Sequence, residues 1–376
     1  MSLPHDDVDP GGLLEYSVVF TDLSLNHMSA RFIGVMQDLV EVLRTTYHAD
    51  TVAVVPGGGT FAMEAVARQL ATDRRCLVIR NGLFSYRWSQ ILETGRITDD
   101  VAVCQARPTG EAVDASWVPA PLDDVVAAIR ERRPELVFAP HVETAAGMLL
   151  PDEYLRAVSD ATHEAGGLFV LDCIASGALW VDMADLGVDV LLSAPQKGWS
   201  GSPCAGFVML NDRAREAVSA TTSSSFAADL RTWLSITEGY TRGEAGYHAT
   251  MPTDALAHDV VLMRQTRDRG LDSLREAQWE LGTRVRALLA ERGLPSVAAD
   301  GFAAPSVVVV HTDDPELRSG AAFKAAGVQV AAGVPLRCDE PAGFSTFRIG
   351  LFGLDKLGDV DGTVIRLQQA LDHLGR

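Results

Sequence analysis

The chain has 376 residues, 47% hydrophobic and 22% charged, with a formal charge of −18. These values exclude a disordered or collagen-like chain and fit a soluble globular protein of two domains, or of one large domain with an appendage. The acidic balance argues against a nucleic-acid partner or an anionic membrane surface, because either needs a basic face assembled against the protein's own field.

A chain this long buries roughly 75% of its unfolded surface and needs no disulfide or metal to hold a core. Its five cysteines, at 76, 104, 173, 204 and 338, are odd in number and show neither C-x-x-C nor a Cys/His zinc spacing. They lead us to expect no metal and a reducing, cytoplasmic compartment. The N-terminal "MSLPHDDVDPGG" lacks the apolar core of a signal peptide, and no run reaches the roughly 18 apolar residues of a membrane span.

In chain order, a helix over 30–47 precedes strands over 51–56, 76–81, 101–106, 136–141, 168–173, 189–194 and 205–210, with helical patterns at 60–71, 121–132 and 152–165 between them. Strands that are apolar without alternation are buried on both faces, and strand–helix–strand order predicts a large, mostly parallel sheet: an α/β domain. After a Ser/Thr/Ala loop at 219–230, residues 253–292 read as one long helix or two joined ones. Strands at 306–311, 328–333 and 347–351 with helices at 315–326 and 355–374 then make a smaller α+β unit. The expected division is 15–255 for the large domain with its N-terminal helical arm, and 256–376 for the small C-terminal domain. No internal repeat or long low-complexity segment is present.

Ligands of open α/β sheets sit beyond the carboxyl ends of the strands, and three strand ends carry chemistry. "PGGGTFAMEA" (56–65) follows the first strand and opens a helix; its glycines and the helix N-terminus suit an anion, or make only a tight turn. Asp172 ends the apolar run "LFVLDC", either as a turn residue or as the partner of a cationic ring nitrogen. Lys197 lies in "SAPQKGWSG" at the end of the next strand. The chain has only three lysines, at 197, 324 and 356, against 29 arginines. A surface lysine is the ordinary reading; a partly buried one loses basicity and becomes a nucleophile toward an aldehyde. His141 and Glu143 invite an acid/base role, but His141 reads as a satisfied structural histidine.

These motifs, in this order, resemble the fold-type-I pyridoxal-phosphate (PLP) enzymes of aminotransferase class V, most closely the branch of alanine–glyoxylate and 2-aminoethylphosphonate–pyruvate aminotransferases. The resemblance runs from about 50 to 355 and rests on "GGGTFAMEA", "RNGLFSYR", "HVETAAG", "LDCIAS", "APQKG", "YHATMP" and "FRIGLFG". It implies phosphate contacts from Gly58, Gly59, Thr60 and Gln196, Phe84 on the ring face, Thr144 near the ring hydroxyl and Ile174 beneath the ring. It further implies Asp172 at the pyridine nitrogen, Lys197 as the internal aldimine and base, and Arg348 on the substrate carboxylate. Tyr247 and Thr250 would reach the phosphate of a neighbouring subunit's cofactor, which implies a homodimer with shared sites.

The implied activity is transamination between a small amino-acid donor such as alanine and a small keto acid or aldehyde such as glyoxylate or pyruvate. The alternatives are a PLP lyase or cysteine desulfurase of the same superfamily, with Cys338 as the only candidate thiol, and a non-catalytic nucleotide-binding protein. The chain departs from the branch at "FTDLSLNHMSARF" (20–32), where a Gly-Pro-rich stretch is usual, and at Gly58 and Thr60, where Ser and His are frequent.

Overall fold

The computed structural model describes residues 7–375; residues 1–6, the start of the polar N-terminal stretch, and Arg376 lie outside the described residues. Helix α1 (Ala30–Tyr47) leads into β1 (Thr51–Pro56), α2 (Gly59–Leu70), β2 (Cys76–Arg80), α3 (Leu83–Thr94), β3 (Val101–Gln105), α4 (Leu122–Arg132), β4 (Leu136–Pro140), α5 (Asp152–Ala165), β5 (Leu168–Asp172), β6 (Val190–Ser193) and β7 (Ala205–Leu210). The seven strands form one sheet in the order β1-β7-β6-β5-β4-β2-β3. All pairings are parallel except those of β7, which runs antiparallel to β1 and β6. The segment from Ser193 to Ala205 contains no helix to carry a crossover, so the chain returns beside β6 in the opposite direction.

β4, β6 and β7 are buried along their whole length, as their unbroken apolar runs predict, whereas edge strand β3 is partly open. The fully buried Asp189 fixes the strands at the end remote from Lys197. Its carboxylate accepts from Phe169 N (2.7 Å) on β5 and Asn211 Nδ2 (2.9 Å) after β7, and lies 2.9 Å from His163 Nε2 of α5. With Leu192 of β6 in register with Asp172 of β5, the loops that follow both strands emerge on the same edge of the sheet.

Beyond β7 come α6 (Leu230–Thr241), α7 (Thr253–Asp268) and α8 (Leu271–Glu291). The 253–292 pattern therefore resolves into two helices, separated where Gly270 takes φ 89°. α7 packs on α1, and its buried Asp259 accepts from Ser202 N at 2.6 Å and Cys204 Sγ at 3.1 Å. β8 (Val307–His311), β9 (Ala331–Ala332) and β10 (Thr346–Gly350) form a separate antiparallel sheet in the order β8-β10-β9, with α8 packed against α9 (Val360–His373). The strand expected at 328–333 shortens to two residues. The helix expected at 315–326 becomes Pro315–Ser319 and Ala321–Ala325, because Gly320 sits at φ 79° as the C-cap of the first. No helix among the described residues is long and apolar enough to cross a membrane.

Candidate active site

Gly57 and Gly58, at φ 119° and 150°, turn the chain from β1 into α2 through backbone that other residues rarely adopt. Gly58 is the N-cap and offers no side chain, so no side-chain oxygen of its own caps the leading N–H groups of α2, and the helix dipole adds partial positive charge there. A Cβ on Gly59 would meet Ile174 Cδ1 at 2.6 Å, so the absence of a side chain lets the turn close against the segment that follows β5. Thr60 is exposed, and its hydroxyl accepts from Arg87 Nη1 at 2.9 Å.

α3 carries Phe84 in its first turn, and a carboxylate from a distant loop caps that turn. Glu143, fully buried, accepts from Phe84 N (3.2 Å), Ser85 N (2.8 Å), Ser85 Oγ (2.7 Å) and Ala145 N (2.9 Å). Glu143 thus positions the helix that holds Phe84. His141 is hydrogen-bonded, its Nδ1 lying 2.7 Å from Ser176 Oγ, and burial pushes the imidazole down to about 4, so it is neutral at physiological pH.

Asp172 is buried at the end of β5. Burial raises its carboxyl to about 6, and Glu143 adds to the rise; the Ile174 N–H (2.9 Å), Arg87 and Lys197 oppose it. Lys197 stands in the loop after β6, and its ammonium makes no hydrogen bond or ion pair among the described residues. Burial lowers its basicity first, with Arg348 and Arg87 adding repulsion and Asp172 opposing. Its Nζ lies 5.2 Å from the ring centroid of Phe352. The loop is tightly seated: a Cβ on Gly198 would overlap the carbonyl oxygen of Gly177, and Ser200 Oγ accepts from Leu354 N at 2.8 Å.

Arg348 reaches the same place from the smaller sheet. It lies on β10, donates from Nε to Ala332 O at 2.9 Å, and places Cζ 5.5 Å from the Phe84 ring centroid. Arg87 Cζ is 5.1 Å from the same centroid. Burial lowers the Arg348 guanidinium, and among the described residues no carboxylate pairs directly with either arginine. Lys197, Asp172, Arg348, Phe84, Ile174, Gly58, Gly59 and Thr60 are therefore linked through these contacts and charges. Thr144 is buried in the loop right after Glu143. Gln196, beside Lys197, has a buried Oε1 without a hydrogen-bond partner.

Tyr247 and Thr250 are not brought to this cluster. Tyr247 Oη pairs with Thr250 Oγ1 at 3.3 Å, its ring lies 5.5 Å from that of His27, and it is 56% exposed. The arm that departs from the family pattern runs beside it: Tyr240 Oη donates to His27 O, and Leu25 N donates to Asp254 Oδ1. Cys338 is buried, and burial pushes its thiol up to about 12, the wrong state for a nucleophile. Sequence reasoning missed Arg87, Phe352 and the capping role of Glu143. All three lie inside quoted motifs, Arg87 in "RNGLFSYR", Phe352 in "FRIGLFG" and Glu143 in "HVETAAG", but their contacts run across the fold and no local pattern encodes them.

The residues fit PLP on their own chemistry. A half-buried amine without a pair among the described residues, a buried carboxylate, a buried Gln196 oxygen without a hydrogen-bond partner there and a helix N-terminus without a side-chain cap match the aldehyde, ring nitrogen and phosphate of that cofactor.

No family model matches the chain. A 2-aminoethylphosphonate–pyruvate transaminase of Burkholderia ambifaria (strain MC40-6) is 32% identical over 366 residues, covering 94% of this chain and 90% of the relative. A protein of Synechococcus sp. (strain PCC 6716) named soluble hydrogenase, small subunit, is 26% identical over 363 residues, covering 93% and 88%. The crystal structure of an alanine–glyoxylate aminotransferase from Nostoc sp. superposes with a TM-score of 0.76 at 24% identity, covering 92% of this chain and 88% of that one, which shows a shared fold.

Proposed function

Because the chain belongs to the class V PLP-dependent aminotransferases, we propose that it moves an amino group between a small donor, alanine or 2-aminoethylphosphonate, and pyruvate or glyoxylate, with Lys197 as the catalytic amine. The observation that carries this reading is the partly buried Lys197 ammonium, without a hydrogen bond or ion pair among the described residues and within electrostatic reach of Asp172 and Arg348.

PLP, when bound, supplies an aldehyde that takes up the amino group and a ring that delocalises the electrons left at Cα. Lys197 would hold the cofactor through its amine and, as a free amine, would be the base for the Cα proton; its lowered basicity leaves more of the amine uncharged for that role. Asp172 would hold a proton at the ring nitrogen, a pairing that would also offset its own burial. Arg348 holds the substrate's acid group with a forked pair of N–H donors and so fixes which Cα bond stands across the ring. Phe84 and Ile174 would pack against the ring, Thr144 would serve its hydroxyl, and Gly58, Gly59, Thr60 and Gln196 would hold the phosphate.

Tyr247 and Thr250 lie away from Lys197 in their own chain and serve the phosphate of a second subunit in a homodimer. The division at 255/256 and a cytoplasmic setting belong to the same reading, the latter supported by five free cysteines. The test is reduction of the PLP-loaded protein with borohydride, followed by peptide mass spectrometry: the label is expected on Lys197 and absent in Lys197→Ala. Mixed Lys197→Ala and Tyr247→Phe/Thr250→Ala subunits are expected to regain activity that neither variant has alone. A protein that never takes up PLP would overturn the proposal.

A further inference from the structure

At the turn into α2, Thr60 and Gly58 offer the phosphate one hydroxyl and backbone N–H groups, and the other groups assigned to it, the Gln196 amide and the hydroxyls of Tyr247 and Thr250 from a second subunit, carry no charge either. A helix N-terminus offers only partial positive charge, and this chain carries 18 net negative charges that disfavour a phosphate dianion from every side. Neither feature explains how the cofactor's most charged group is held. Arg87 stands at the required place. It lies one helical turn beyond Phe84 on α3, its Nη1 donates to Thr60 Oγ1 at 2.9 Å, and its guanidinium rests over the Phe84 ring, Cζ 5.1 Å from the centroid.

Two contacts tie Arg87 to the site, the Thr60 hydroxyl and the Phe84 ring, and neither neutralises it. It has no carboxylate partner among the described salt bridges, and the Thr60 bond uses one of its five N–H donors. Its charge is felt at both Asp172 and Lys197. The Phe84 face and the Thr60 hydroxyl fix the plane of the guanidinium, so it is organised before any ligand arrives.

Resting on the proposed cofactor reading, we infer that Arg87 is the cationic member of the phosphate cradle, a cofactor-binding residue that pairs with the phosphate through N–H donors left free by Thr60. Helix α3 thereby delivers two functions from one face, Phe84 for the ring and Arg87 for the phosphate. The capping by Glu143 fixes both at once.

The experiment compares binding of PLP and of pyridoxal, which lacks the phosphate, to cofactor-free wild type, Arg87→Gln and Arg87→Lys, followed by absorbance and tryptophan fluorescence, with circular dichroism verifying the fold. Loss of one charge-assisted contact is expected to weaken PLP by about tenfold to a hundredfold, leave pyridoxal unchanged, and fall between these limits in Arg87→Lys. Inorganic phosphate should compete with PLP in wild type and lose that ability in Arg87→Gln. A PLP-to-pyridoxal affinity ratio equal to wild type in both variants overturns the inference, as does unchanged PLP affinity with a raised KM for acidic substrates, which would make Arg87 a substrate residue. Should Arg87→Gln not fold, Arg87→Lys and the phosphate competition in wild type decide alone. Failure of wild type to bind PLP would instead sink the functional reading itself, so the two failures are separable.

Discussion

Replacing Glu143 with Ala removes the acceptor of three backbone N–H groups, those of Phe84, Ser85 and Ala145, at 3.2, 2.8 and 2.9 Å in a fully buried setting. The Ser85 hydroxyl is spared, because Gly82 O is also within reach at 3.0 Å. Each buried donor left without an acceptor costs about 1–3 kcal/mol, so about 2 kcal/mol or more falls on the first turn of α3, through Phe84 and Ser85, and the rest on the loop at Ala145. The α3 share corresponds to about one and a half decades in local opening, read as faster amide hydrogen exchange across 82–94. Glu143→Gln keeps one acceptor oxygen and should lose about half as much, with turnover falling only as Phe84 is displaced. Exchange across 82–94 that stays within a few fold of wild type in Glu143→Ala refutes the reasoning. So does a Glu143→Gln variant with native exchange and no turnover, because that pattern belongs to an acid or base.

Asp172 and His141 titrate in opposite senses in the cofactor-free protein. Asp172, raised from 3.8 to about 6, contributes stability that is complete below about pH 3.8 and lost as pH rises through about 6. His141, lowered from 6.5 to about 4, contributes stability that is complete above about pH 6.5 and lost as pH falls through about 4. Asp172→Asn should therefore leave a stability that climbs with pH across 4–6, and should gain about 3 kcal/mol over wild type at pH 7 in urea unfolding; a Asp172→Asn curve parallel to wild type counts against the raised carboxyl. Gly198→Ala forces a methyl into the Gly177 carbonyl and should lose about 1–3 kcal/mol in thermal unfolding, together with borohydride labelling at Lys197. Arg348→Gln should raise KM for pyruvate by about tenfold to a hundredfold, and Arg348→Lys should not restore it, because an ammonium lacks the forked donor geometry.

The large sheet was legible because its strands are continuous apolar runs, and a run buried on both faces admits few other readings. Asp172 and Lys197 were legible because each is polar at the end of such a run, where local sequence already places it at a sheet edge. Gly270 and Gly320 interrupt helical patterns that periodicity alone joins, since periodicity records which face is apolar and not where the backbone turns left-handed. Glu143 shows the other limit. Its spacing from His141 suggested chemistry, yet its acceptors serve an α3 turn about 58 residues earlier in the chain, and only the folded loop brings the two together. Phe352 stands near Lys197 for the same reason, by way of the smaller sheet.

The bond from Leu354 N to Ser200 Oγ has a mechanical consequence. Leu354 follows β10 by a few residues and Ser200 follows Lys197 by three, so the strand that carries Arg348 and the loop that carries the lysine are geared together. Any displacement of β10 that moves Arg348 would be passed through this bond to the lysine's loop. Grip on the substrate and aim of the amine are then coupled rather than adjusted independently.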